Sequence, residues 1–119
     1  MLATGERIRL AEIDAPELDQ PYGPEARDAL RDILDSGLLI ITPTGRDFYG
    51  RTLAHLTVDG QDVERTLISI GAAWCYVRYL PRDSDCPRRE ATARAEHRGV
   101  WSAPDPVPPW EWRRQRAKK

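Results

Sequence analysis

Ile8-Arg9-Leu10-Ala11-Glu12-Ile13-Asp14-Ala15-Pro16-Glu17 is the stretch whose reading decides the fold. Ile8, Leu10 and Ile13 suit a half-buried β-run, while Asp14-Ala15-Pro16 cannot continue one. A strand carrying an arginine therefore ends abruptly in two carboxylates and a proline. A cation and two acids at the mouth of a sheet suit the joint handling of phosphate and a metal.

Upstream, Met1-Leu2-Ala3 reads as the stub of a strand and Thr4-Gly5-Glu6 as a tight turn. Downstream, Leu18 to Tyr22 is loop, and Gly23-Pro24-Glu25 starts a helix, with Pro24 where a missing N–H costs nothing. Ala26, Ala29, Leu30, Ile33 and Leu34 share one face, and Gly37 is expected to close the helix as a left-handed cap. Leu38 to Thr42 reads as a buried strand and Pro43 to Tyr49 as a polar loop. Arg51 to Val58 reads as a strand, with Leu53, Leu56 and Val58 set against Thr52 and Thr57. Asp59-Gly60 is a hairpin turn. A second helix is read from Val63 to Ile70, a short strand from Ala72 to Tyr76, and a third helix from Pro87 through His97, closed by Gly99. Trp101 is expected to fold back onto the core. The fold class is α+β, mainly β, and the element order fits a partly open five-stranded barrel of the OB type with three helices.

A chain of 119 residues sets one domain with one core. That domain is read over residues 1–103, followed by an arm and basic tail over 104–119. Four prolines between Pro104 and Pro109 argue an extended arm, which Trp110 and Trp112 dock to the body. Arg113 to Lys119 reads as a frayed, solvated tail. No run is long enough to cross a membrane as a helix. The net charge of −1 means that any polyanion binding must come from local clusters. Leu2-Ala3-Thr4-Gly5 is neither basic nor a long apolar run, so no export signal is read at Met1, and one upstream stays open. Cys75 and Cys86 are compatible with one bridge or two thiols, and spacing does not choose between them.

The second informative stretch is Gly45-Arg46-Asp47-Phe48-Tyr49-Gly50-Arg51-Thr52-Leu53-Ala54. It again sets an arginine at the start of a strand. Two arginines and two carboxylates brought together would flank one phosphodiester, since the guanidinium fork matches phosphate oxygens bidentately.

With Tyr22-Gly23-Pro24-Glu25-Ala26, Tyr49-Gly50-Arg51, Asp59-Gly60 and Gly99-Val100-Trp101-Ser102, the opening stretch resembles the staphylococcal nuclease family, from about Glu6 to Trp101. The resemblance implies a calcium-dependent endonuclease that cleaves DNA and RNA, single-stranded by preference, with little sequence preference. Arg9 then holds the scissile phosphate, Arg51 stabilises the transition state and assists the leaving oxygen, and Glu17 directs and deprotonates the attacking water. Asp14 becomes a calcium ligand. Ala15 becomes another through its carbonyl, at a position where the family's best-known member has threonine. Tyr49 and Tyr79 match tyrosines of the nucleotide-binding face, while Val77 stands where a third is usual. A secreted or periplasmic setting is also implied.

One departure matters. Family members usually carry an Asp-Gly-Asp-Thr turn after a first barrel strand, and nothing before Arg9 resembles it. A missing first strand, one absent metal ligand and impaired activity are therefore expected, with the open barrel edge inviting dimerisation or strand exchange. The rival from another class is a catalytically degenerate module that binds nucleic acid or protein. His55 and His97 are read as structural, since the implied mechanism needs neither.

Overall fold

The computed structural model describes residues 8–117, except for the side chain of Tyr79. The strand stub read at Met1 to Ala3, the turn at Thr4 to Glu6 and the final Lys118-Lys119 lie outside the described residues.

The opening stretch is two strands, not one. β1 (Ile8–Leu10) and β2 (Ile13–Asp14) are separated by a turn in which Glu12 takes a left-handed φ of 68°. The Ala11 amide closes one side of the turn on the Ala54 carbonyl at 2.9 Å, and the Glu12 carbonyl receives the Tyr76 amide at 2.8 Å. The kink sends β1 and β2 into different sheets.

α1 (Gly23–Leu34) follows. Gly23 is required because the Glu17 carbonyl lies where a side chain would begin. Gly37 is not the expected left-handed cap. The helix ends at Asp35 in right-handed geometry, and Gly37 makes room for the Asp59 carboxylate, which accepts the Leu38 amide at 2.8 Å.

β3 (Leu39–Arg46), β4 (Thr52–Val58) and β5 (Gln61–Asp62) follow as antiparallel neighbours, with β1 parallel to β4 on its other side. Three expectations are corrected here. Among the described residues β3 is an edge strand, with Ile40 exposed like Leu38 just before it, and with Leu39 and Ile41 turned to the core. It also runs through residues 43–46 by way of an irregularity between Pro43 and Gly45, where loop was expected. In β4 the inward set is Thr52, Ala54, Leu56 and Val58, which puts Leu53 on the other face. The Asp59-Gly60 hairpin turn forms as read, with both residues at positive φ, the requirement of a two-residue type I′ loop.

α2 (Val63–Ser69) is capped by Asp62, whose side chain accepts the Arg65 amide. β6 (Trp74–Cys75) pairs with β2, a 3₁₀ turn spans Val77–Tyr79, and α3 (Cys86–Ala95) stops two residues short of His97. A second 3₁₀ turn covers Gly99–Ser102. The arm then ends in α4 (Pro109–Ala117), where a frayed tail was expected.

The chain is thus α+β, with two small sheets and no closed barrel among the described residues. Leu67, Ile68, Val63, Ala54 and Val58 centre the main core, and burial of each large aliphatic side chain contributes about 1.5–3 kcal/mol. A second cluster joins Trp74 to Trp101, ring edge to ring face at 5.1 Å, which is the return of Trp101 that its position after a helix suggested. Cys75 and Cys86 form a disulfide that ties β6 to α3.

Candidate active site

The kink at Glu12 has a direct consequence for Arg9. With β1 and β2 folded around it, the Arg9 guanidinium donates to the carbonyls of Leu10 and Ile13, both at 3.1 Å. It lies 3.7 Å from an Asp14 carboxylate oxygen and 4.7 Å from the centre of the Tyr76 ring. The side chains of Arg9 and Asp14 are each only 11% exposed, so their geometry is fixed by the fold.

Arg51 is organised by its own loop. One Asp47 oxygen accepts the amides of Tyr49 and Arg51 at 2.9 and 2.8 Å, and the other accepts Arg51 Nε at 2.6 Å. Gly50, at a φ of 78°, lets the chain turn tightly enough for this. Burial works to raise the Asp47 pKa, but hydrogen bonds from Arg51 and Tyr49 outweigh it and hold the carboxyl below its ordinary value. Asp47 therefore stays charged and aims Arg51. At the rim, Phe48 and Tyr49 are exposed, with Arg78 over the Phe48 ring and Arg51 over the Tyr49 ring.

Glu17 sits on the loop before α1. Its amide bonds to Gln20 Oε1 at 2.8 Å, and Gln20 Nε2 donates to the Val107 carbonyl at 2.9 Å, which fastens the arm. Beyond that clasp, Pro109 is fully buried and Trp110 packs on Tyr76 with ring centres 5.6 Å apart. Trp112 Nε1 and Arg116 both reach Asp19.

This docking delivers Arg113 to the carboxylates. Its Nη2 lies 2.6 Å from Asp14 Oδ2 and its Nη1 2.9 Å from Glu17 Oε1. Partial burial works against its charge, but Asp14 and then Glu17 outweigh it and push the guanidinium pKa above its ordinary value. The residues read as a solvated tail are, at this position, part of the site.

Arg9, Asp14, Glu17, Arg51, Tyr49 and Arg113 all line one cleft of about 750 Å³. Ala15 is exposed beside Asp14 and does not line the cleft, and the Tyr79 side chain lies outside the described residues. Val77 is exposed on the 3₁₀ turn. Sequence reasoning missed three contributors: Asp47, Tyr76 and Arg113. Asp47 had a signal, an acid four residues before an arginine with a glycine between them. Among the described residues no group of three or more His, Cys, Asp or Glu side chains is arranged to hold a metal ion. Asp14 and Glu17 nevertheless converge on one guanidinium, and two carboxylates able to share one cation suit a hard divalent ion.

The histidines lie outside this cleft. His55 bridges Glu12 and Glu64 beside a separate hollow of about 270 Å³, and burial raises the Glu64 pKa.

Residues 7–103 match the protein family described as "Staphylococcal nuclease homologue". The chain is 40% identical over 111 residues to an "Uncharacterized endonuclease" of Escherichia coli O157:H7, covering 92% of this chain and 72% of that protein. It is 36% identical over 116 residues to the "Staphylococcal-like nuclease CAN1" of Arabidopsis thaliana, covering 98% of this chain and 36% of that one. An "Uncharacterized endonuclease" of Haemophilus influenzae is 34% identical over 109 residues, covering 92% of this chain and 61% of its own length.

Proposed function

The chain belongs to the staphylococcal nuclease family and is a hydrolase of phosphodiester bonds, and from that premise we propose a calcium-dependent endonuclease acting on DNA and RNA. One observation carries the reading. Arg9, Asp14 and Glu17 from the opening stretch and Arg51 from a distant one line a single cleft.

In this reading Arg9 binds the scissile phosphate from its fixed position between β1 and β2. Glu17 orients a water and takes its proton as the water oxygen bonds to phosphorus and the phosphorus–oxygen bond to the leaving sugar breaks. Arg51, aimed by Asp47, faces the charge that builds on the phosphoryl oxygens and assists the leaving oxygen. Asp14, with the Ala15 carbonyl, would hold calcium, which when bound neutralises phosphate charge. Tyr49 faces the nucleotide. The exposed rings of Phe48 and Tyr49 support a preference for single strands, whose bases are free to stack. The Cys75–Cys86 disulfide supports a secreted or periplasmic setting. The exposed β3 edge supports strand exchange or a homodimer, and light scattering showing only monomer at high concentration would remove that part.

A second reading, a binding module without catalysis, is favoured by the pairing of Glu17 with Arg113, which occupies the carboxylate the mechanism uses. Incubation with denatured DNA and calcium separates the two. Cleavage that Glu17→Gln and Arg51→Ala abolish is expected. Oligonucleotide binding without any cleavage would leave the binding module standing.

A further inference from the structure

We propose that Arg113 is a resident cation of the Asp14–Glu17 pair, and that a divalent cation binds at Asp14, leaving Glu17 to its water, only by exchanging with it. The proposal rests on the nuclease reading above, since it concerns how that same site takes up its metal.

The geometry is that of a counter-ion and not of a chance surface pair. One guanidinium contacts both Asp14 oxygens, at 2.6 and 3.4 Å, and Glu17 at 2.9 Å, spanning the two carboxylates as a bound cation would. Asp14 is nearly buried, so this ion pair is poorly screened. Asp14 Oδ2 already has Arg113 at 2.6 Å and Arg9 at 3.7 Å, so a divalent ion added beside them would meet two like charges and gain its place by displacing the closer one. Cation binding and release of Arg113 are then one equilibrium, and whatever stabilises one state weakens the other to the same degree.

The rest of α4 does not depend on that contact. Pro109 is held by burial, Trp110 by Tyr76, Trp112 and Arg116 by Asp19, and the preceding arm by the clasp between Gln20 and Val107. Arg113 can therefore leave its carboxylates while its helix stays docked. The displaced side chain remains on the wall that also carries Arg9 and Arg51, so the next partner within reach is substrate phosphate. The exchange would turn a plug into a third phosphate-binding arginine.

The test is a calcium titration by calorimetry on the full chain and on Arg113→Ala, Arg113→Lys and Asp14→Asn, with circular dichroism confirming each fold. Arg113→Ala should bind calcium on the order of tenfold more tightly than the parent, within the range usual for coupled sites. Arg113→Lys, which keeps the charge but loses the fork, should fall between them, and it also stands in should the alanine variant fail to fold. Asp14→Asn should lose the binding. Equal or weaker affinity in folded Arg113→Ala overturns the exchange, as does calcium binding that survives in Asp14→Asn or is absent from every variant. Hydrolysis assays on the same samples keep the two readings apart. Cleavage with unchanged calcium affinity in Arg113→Ala sinks only the exchange. Tighter calcium without cleavage sinks only the nuclease.

Discussion

Glu12 and Asp14 are two residues apart, and the left-handed turn between β1 and β2 commits their carboxylates to different cavities. Glu12 enters a chain of short contacts around the hollow. It accepts Ser84 Oγ at 2.9 Å and lies 3.2 Å from His55 Nε2, while His55 Nδ1 lies 2.7 Å from Glu64. Glu64 in turn accepts the Leu56 amide with both oxygens. Asp14 faces guanidinium groups instead, Arg9 on one side and Arg113 on the other. In the hollow Glu12 and Glu64 are satisfied by backbone and short side chains, while Asp85 on the same wall pairs with Arg65 and Arg89. In the cleft Asp14 and Glu17 share one long cation, Arg113, that can swing away. Of two neighbouring acids, one is spent on holding the fold, and the other is available for exchange.

The largest expected effects test the cleft side. Glu17→Gln should lower the rate on denatured DNA by about 10²–10⁴-fold and Arg51→Ala by about 10²–10³-fold. Thermal melting should stay close to the parent in Glu17→Gln, while Arg51→Ala, which takes a partner from buried Asp47, should melt lower but still fold. A variant that loses its fold along with its activity would break the contrast.

The next tests fall on the hollow, whose wall includes Cys86. Reducing the Cys75–Cys86 disulfide should cost about 3 kcal/mol in denaturant titrations, the loop-closure value for a crosslink of this span. Glu64→Ala strands the Leu56 amide and should cost about 1–3 kcal/mol, with activity per folded molecule unchanged.

The smallest effect is a pair of opposed pH slopes. Burial raises the Glu64 pKa above its ordinary 4.5, so the folded state holds the proton longer than the unfolded chain does. Its contribution is present in full below 4.5 and is lost as pH rises through the folded value. Asp47 is lowered from 3.8, so its contribution is present above 3.8 and lost as pH falls through its folded value. Melting curves of Glu64→Gln and Asp47→Asn against the parent should each flatten one slope and leave the other. Slopes of the same sign would show that the two acids are not held differently.

Much of the fold was legible where local chemistry dictates local structure. Asp59-Gly60 gives a hairpin because glycine takes the positive φ the turn needs, and Pro24 opens α1 because its ring presets a helical φ. The kink at Glu12 was not legible, since glutamate carries no preference for positive φ and only the sheet imposes it. The inward set of β4 was misread because Thr52 is buried and Leu53 is not, an outcome set by the register with β1. In the site, Arg9, Asp14, Glu17 and Arg51 could be singled out from their stretches. Arg113 could not, as its partners lie 96 and 99 residues away, beyond any spacing rule. The helix carrying it did leave a trace, since Pro109 stands at its first turn ahead of good helix formers.

The clasp between Gln20 and the arm also gives the site an order of completion in time. During synthesis the residues from Arg9 to Arg51 are made long before Arg113. At about 5–20 residues per second the interval is several seconds. Until then Asp14 and Glu17 stand without that cation, through the whole interval in which the β2–β6 pairing that seats Asp14 can first form. A free divalent ion met in that interval would have no arginine to displace, and the first occupant of the pair would be decided by the timing of translation before equilibrium has its say.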